Sequence, residues 1–194
     1  QHEGDRDGDG FVEYHRQTSE GLANQGWKDS HDAVFHEDGQ TAEGPIALVE
    51  VQSYVYQAYV HGARLAEQFG GIEEARHYAS CAEKLKAAFH PAFWLEDLGT
   101  YALALDGAKR RCRVLASNAG HALMSDLVPP DAAERVGRTL METSLWSGWG
   151  VRTLATSMPR YNPMSYHNGS VWPHDNALVA IGLARFGMKR HAAR

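Results

Sequence analysis

The sequence predicts an all-α fold in which helical hairpins form part of a ring, an incomplete α/α toroid with long polar loops and a short β-ribbon. Three observations carry this prediction. Segments with apolar residues on most helical faces alternate with segments apolar on one face only. A long polar loop precedes the all-round apolar segments, and the order loop, inner helix, outer helix returns about every 60 to 70 residues. With 194 residues, 43% of them hydrophobic, the chain can bury one good-sized core. Residues 1–194 are therefore read as a single partial domain, with a loop region over 1–43 and helical hairpins over 44–187.

The elements follow in order. Residues 1–43 are polar, rich in Gly, Asp and His, and show no sustained period; long loops of this kind in compact domains tend to carry function. Gly44-Pro45 is expected to open a helix, with Pro in the first turn where its missing N–H costs nothing. Ile46, Val49, Tyr54, Tyr56, Val60, Ala63, Leu65 and Phe69 spread around that helix, so it should be buried on more than one side. Gly70-Gly71 stops it. A second helix, Ile72 to Phe89, keeps Ala75, Tyr78, Ala79, Ala82, Leu85 and Phe89 on one face with charges opposite, which makes it the outer member of an αα-hairpin.

The short run Tyr101–Leu105, ended by Asp106-Gly107, reads as a β-ribbon or extended connector. Ser117–Met124 is expected to be a second inner helix capped by Ser117 or Asn118. An amphipathic helix from Pro130 to about Thr143, with Asp131 near its start, is its outer partner. Another polar loop spans Trp146–Asn168, and Ser170–Phe186 returns to an apolar helix, a third inner member. Roughly two and a half hairpins cannot close a ring, so the sequence predicts part of one.

Composition narrows the function classes. A net charge of −5 and a pI near 6.1 give no reason to expect nucleic acid or an anionic membrane as partner. The local run Lys109-Arg110-Arg111 with Arg113 reads as a solvated loop. Two cysteines, Cys81 and Cys112, are too few for a disulfide framework and have no metal-type spacing. A reducing compartment is the simpler inference. No apolar run approaches the roughly 20 residues that span a bilayer and no leader is visible, so a cytoplasmic, soluble protein is expected. Gln1 at the start, and Gly187–Arg194 directly after an apolar helix, make both ends look cut from something longer.

Two concentrations of chemistry stand out, with a rival beside the first. Asn24-Gln25-Gly26-Trp27-Lys28-Asp29-Ser30-His31-Asp32 crowds an indole, a cation and two carboxylates into a loop. Sugar cleavage needs that mixture: a flat ring to stack on, polar groups for hydroxyls and a carboxyl group to move a proton. A solvated loop with Ser30 or Asp32 capping a turn is the structural alternative. Tyr161–Asn176 again gathers aromatics, imidazoles and amides before an inner helix. His167 and His174 there lack partners at the spacing of a metal site, so no metal is expected. The rival is Asp5-Arg6-Asp7-Gly8-Asp9-Gly10. Asp5, Asp7, Asp9 and Gly10 fit the first half of a calcium loop, but Arg16 stands where the bidentate carboxylate belongs. A tight turn is favoured, with Asp5, Asp7 and Asp9 as the weaker metal alternative.

With these residues in view, the chain resembles the bacterial amylo-α-1,6-glucosidase (glycogen debranching enzyme) family of glycoside hydrolases. The resemblance lies in Gly4–Tyr14, Asn24–Asp32, Gly44–Gln52, Ser117–His121, Gly148–Leu154 and Tyr161–Asn176, nearly the whole chain. It implies a toroid of six α-hairpins, of which this chain would be about half, and thus an internal fragment of a catalytic domain with residues 1–43 as its active-site loop region. It implies an inverting mechanism, with one carboxylic acid protonating the leaving oxygen and a second carboxylate activating water roughly 6.5–9.5 Å away. Asp29 matches the family's general acid. Burial against Trp27 would help keep it protonated, and Lys28 would oppose that. The family's general base belongs to a Leu-Pro-Glu-Leu-Phe-like block expected after the Ser170–Gly187 helix, and this chain ends before such a block. Asp126 and Ser53 depart from the family, which usually has Gly at both positions.

The expectation for function is therefore part of an inverting hydrolase of α-linked glucosides, α-1,6 branches of glycogen-like glucans at family level, inactive as an isolated fragment. Asp29 is the acid; Trp27, Lys28, Asp32, His121, Arg152, His167, Trp172, His174 and Asp175 are the expected sugar contacts. No cofactor is expected, the partner is an oligo- or polysaccharide, and inner helices left uncovered by an open ring could pair two copies. The alternative is a helical module that binds carbohydrate or calcium without turnover.

Overall fold

A computed structural model describes residues 4–194; Gln1, read above as a cut end, lies outside them. The long polar start is irregular up to β1 (Ala47–Leu48), which runs directly into α1 (Val49–Gln68). Then come α2 (Ile72–Phe93), the two-residue strands β2 (Trp94–Leu95), β3 (Thr100–Tyr101) and β4 (Ala104–Leu105), and α3 (Asn118–Ala122). The chain ends with α4 (Pro130–Leu140), α5 (Pro173–Arg185) and α6 (Lys189–Ala192). The inner members are α1, α3 and α5: α1 packs on α3 and α3 on α5, while α2 lies along α1 and α4 against α3. The all-α, partial-ring expectation holds, with strands limited to two antiparallel pairs among the described residues.

Several boundaries move, each for a local reason. Pro45 does not open a helix. It follows Gly44 through a cis peptide bond, and the helix waits until β1 has paired with β4, Ala47 opposite Leu105 and Leu48 opposite Ala104. The run Tyr101–Leu105 is thereby split: Tyr101 pairs with Trp94 across β2–β3, and Ala104-Leu105 crosses to β1. The second inner helix is one turn long and has no side-chain cap, because Ser117 itself has helical dihedrals. On the third, Pro173 takes the first-turn role assigned to Pro45. The outer helix α2 continues past Phe89 to Phe93 with Pro91 inside its last turn. There Arg111 donates to the carbonyls of Pro91 (2.6 Å) and Ala92 (2.7 Å), satisfying acceptors that a helix end leaves open.

Burial follows the pattern only in part. In α2, Ala82, Leu85, Phe89 and Phe93 form the single stripe expected of an outer helix. In α1 the buried residues are Val49, Glu50, Gln52, Ser53 and Tyr56, all in the first turns, while Leu65 and Phe69 are exposed. The helix is thus an inner one at its N-terminal end alone. The larger core joins Phe11, Phe89, Phe93 and Tyr101 to Leu123, Val136, Leu140, Val179 and Leu183. A smaller one under the loop region joins Val34, Phe35, Ile46 and Leu48 to Leu103, Val114 and Leu154. Two glycines let α3 and α5 meet closely: a Cβ on Gly120 would stand 2.7 Å from Val179 Cγ2, and one on Gly182 2.6 Å from Leu123 Cβ.

The basic run is exposed at Arg110 and Arg111, but its side chains are engaged. Lys109, with φ of 59°, turns its ammonium onto Asp7 (2.8 Å), Asp9 (2.6 Å) and Glu13. Arg110 pairs with Asp106, and Arg113 bridges Glu37 and Asp97. These contacts tie the β4 connection to the N-terminal loop and to the end of the first hairpin. Among the described residues, neither Cys81 nor Cys112 forms a disulfide. Among the described residues, no helix is long and apolar enough to cross a membrane.

Candidate active site

The first turns of α1, α3 and α5 come together, and the 24–32 loop lies across them. It is anchored from beneath, because a Cβ at Gly26 would collide with Leu48 Cδ1 and the glycine lets the loop sit on β1. Asn24 is buried, accepting from Tyr14 Oη at 2.8 Å and donating to the carbonyl of Ser30 at 2.6 Å, which holds the loop as a closed turn.

Along this loop successive side chains go to different layers. Trp27 enters a cluster of rings: it stacks on His121 (centroids 5.8 Å apart, planes at 23°) and meets His174 (4.8 Å), His167 (5.5 Å) and Trp172 (6.1 Å) edge to face. Trp172 also stacks on His167 at 5.4 Å and donates from Nε1 to the Tyr166 carbonyl. The carboxyl of Asp29 remains half exposed, with Oδ1 3.8 Å from His167 Nδ1. That nitrogen is hydrogen-bonded to Ser30 Oγ at 2.8 Å. Burial holds the His167 imidazole below its ordinary pKa against the opposing charge of Asp29, which favours the neutral ring.

Beneath the rings is a polar layer closed to solvent. The ammonium of Lys28 is buried and donates to the carbonyl of Thr153 at 2.6 Å. Burial pushes its pKa down to about 8, with the charges of Asp175 and Glu50 opposing. Burial raises Glu50 above the usual carboxylate range; His121, Lys28 and the amide of Asn118, which donates to Oε1 at 2.9 Å, work the other way. His121 is bracketed, Nδ1 by Tyr54 Oη at 2.6 Å and Nε2 by Asp175 Oδ1 at 2.7 Å. Glu50 Oε2, Asn118 Oδ1, Asp175 Oδ2 and Trp27 Nε1 are buried without a hydrogen-bond partner among the described residues.

The expected acid and the residues expected to contact sugar thus divide. Trp27, Asp29, His167, Trp172 and His174 gather in and beside the ring cluster. Asp32 adjoins it: its carbonyl accepts from Asn168 and Arg160, and its charge is felt at His167. Lys28, His121 and Asp175 lie in the layer below, with 4%, 0% and 0% of their surface exposed. Arg152 stands apart, its guanidinium on the carbonyl of Thr143 at 3.2 Å. Sequence reasoning missed Asn118 as a member of the polar layer and Tyr54 at its exposed edge. The available signal was Glu50 and Tyr54 four residues apart at the start of an otherwise apolar inner helix.

The rival acidic loop is also assembled, with one oxygen each of Asp5, Asp7 and Asp9 within 4.8 Å of one another. The Lys109 ammonium sits on two of these carboxylates, however, at the place a cation would take. A donor set already neutralised by a lysine is a poor fit for calcium.

The helical-hairpin layout is that of the α/α-toroid glycoside hydrolases. The chain belongs to the family of mannosylglycerate hydrolase MGH1-like glycoside hydrolase domains, whose model matches residues 8–194. Among solved structures, it is similar to the mannosylglycerate hydrolase of Thermus thermophilus in complex with glucose (20% identity, TM-score 0.65), covering 77% of this chain and 37% of that one. It is also similar to the neutral trehalase of Saccharomyces cerevisiae (14%, TM-score 0.65, 84% of this chain and 32% of that one). A sialidase matches with TM-score 0.71 at 15% identity, over 89% of this chain and 16% of its own. At such identities the likeness is one of fold, and this chain spans well under half the length of each. No curated protein matches the chain in sequence.

Proposed function

We propose that this chain is part of an inverting glycoside hydrolase acting on α-linked glucosides, with Asp29 as the general acid. The observation that carries the reading is the half-exposed Asp29 carboxyl beside the ring cluster of Trp27, His167, Trp172 and His174. An apolar ring face for the sugar and a proton donor within reach of its glycosidic oxygen are the two parts an acid-assisted cleavage needs. Membership of a glycoside hydrolase family, and likeness to a mannosylglycerate hydrolase described in complex with glucose, support a gluco- or manno-configured substrate. The α-1,6 linkage rests on the sequence resemblance alone.

The general base is a second carboxylate, on the opposite face of the sugar. Glu50 and Asp175 are ill suited to activate water from solvent, being 1% and 0% exposed. We assign the base to polypeptide C-terminal to Arg194, as the resemblance implies. The same logic extends to the whole of 1–194 as one partial catalytic domain and to pairing of two copies through exposed inner-helix residues such as Ile181.

The test is Asp29→Asn in the enzyme that contains this chain, assayed on isomaltose, maltose and mannosylglycerate. A general acid contributes about 10²- to 10⁴-fold to kcat. Turnover within a few-fold of wild type would remove Asp29 from the mechanism.

A further inference from the structure

We propose that His121, held between Tyr54 and Asp175, is a positioning residue: it fixes the Trp27 indole and, through Asp175, the start of α5 that carries Trp172 and His174, without itself touching sugar. This rests on reading the ring cluster as the sugar site.

The hydrogen bonds have a defined direction. Burial, and then the nearby charges of Glu50 and Asp175, raise the Tyr54 phenol above its ordinary pKa, so it keeps its proton and donates. A carboxylate only accepts, so His121 Nε2–H donates to Asp175 Oδ1, and in the neutral ring Nδ1 is left to accept from Tyr54. The chain Tyr54 to His121 to Asp175 therefore runs from α1 through α3 to α5. Rotation of the imidazole about its own axis would break both bonds, and the ring is completely buried. Its plane is the surface on which Trp27 stacks.

Two unpartnered atoms show why the link matters. Trp27 Nε1 is buried with no hydrogen bond among the described residues, so ring packing rather than a polar contact sets the indole's orientation. Asp175 Oδ2 likewise has no partner among the described residues, so there the hydrogen bonding of the carboxylate runs through His121. Asp175 lies in the first turn of α5, next to His174, whose ring meets the edge of Trp27 at 4.8 Å. One buried imidazole thus aligns the 24–32 loop with the 172–174 segment. The Gly120 and Gly182 contacts that bring α3 close to α5 make its bond to Asp175 possible.

The experiment is ¹⁹F NMR of the full chain labelled with 5-fluorotryptophan, with the Trp27 resonance assigned by Trp27→Phe. Tyr54→Phe and Asp175→Asn are compared with wild type, alone and titrated with D-glucose. In both variants the Trp27 resonance should shift or broaden while that of Trp94, outside the cluster, stays in place. The D-glucose Kd should rise about tenfold, the equivalent of one well-oriented contact. A role in stability alone would lower the melting temperature and leave shift and affinity unchanged in the folded protein; that result overturns the proposal. Asp175 is fully buried and its variant can fail to fold, so Tyr54→Phe, at a side chain 37% exposed, is the deciding one. Should wild type not bind D-glucose while the Trp27 resonance still moves in Tyr54→Phe, the sugar-site reading fails and the positioning role stands.

Discussion

Lys28 offers a measurement in which a single buried proton can be followed. Its folded pKa is about 8 against an unfolded value of 10.5. Because the folded value is the lower one, the unfolded chain binds more protons between these limits, and stability rises with pH across that window. The stabilisation is complete above the unfolded value and is lost as pH falls through about 8. At 1.36 kcal/mol per unit, raising the pH from 7 to 10 spans most of the gap and gives roughly 2–3 kcal/mol from this group. Lys28→Met keeps the side-chain length and removes the titration. Urea unfolding of both proteins at the two pH values isolates the contribution: the difference in stability between wild type and Lys28→Met should shift by that amount in favour of wild type at the higher pH. If the two proteins change in parallel, the ammonium is not buried in the way its hydrogen bond to Thr153 implies.

Three further outcomes follow from the packing and the charges. Gly120→Ala sets a methyl 2.7 Å from Val179 Cγ2 and should cost about 1–3 kcal/mol in chemical denaturation; an unchanged midpoint would mean that α3 and α5 can separate freely. Asp106 accepts from the amides of Ala108 and Arg110, from the Arg110 guanidinium and from His36, so Asp106→Ala should cost about 3 kcal/mol. Burial works against its ionisation, but the bonds to Arg110 and Ala108 hold its pKa below the usual value. Its stabilisation is therefore present above the unfolded value and lost as pH falls through the folded one; Asp106→Ala should flatten that part of the acid-unfolding curve. Millimolar calcium should leave the melting temperature of wild type unchanged, since Lys109 already occupies the acidic loop, and a rise of several degrees would restore the calcium reading.

How far the fold was legible depended on how local each determinant is. The 3.6-residue stripe of Ala82, Leu85 and Phe89 is a local signal, and α2 appears where it indicates. Pro45 misled because the backbone just after it is claimed by partners nearly sixty positions on: Ala47 pairs with Leu105, a contact invisible to a sliding window. The same long-range pairing divides Tyr101–Leu105, which alternates like one strand but serves two. In the site, residue types and loop position were enough to select the 24–32 and 161–176 segments, and the structure brings them together through Trp27. Depth was not legible. Lys28 and Asp29 are neighbours in sequence, yet one is buried on Thr153 and the other half exposed, a distinction set by where Gly26 lets the loop rest on Leu48.

The lysine in the N-terminal acidic loop has a consequence for how this segment keeps its order. Burial opposes its charge, yet hydrogen bonds to Asp7, Asp9 and Glu13 raise the Lys109 pKa above its ordinary value, so the ammonium stays charged across the physiological range. A free ion fills such a site only as far as its concentration allows. A tethered cation has instead an effective concentration fixed by the folded chain. The folded loop thus carries its own counterion, and its order follows that of β4 and the turn after it rather than the supply of metal in the surroundings.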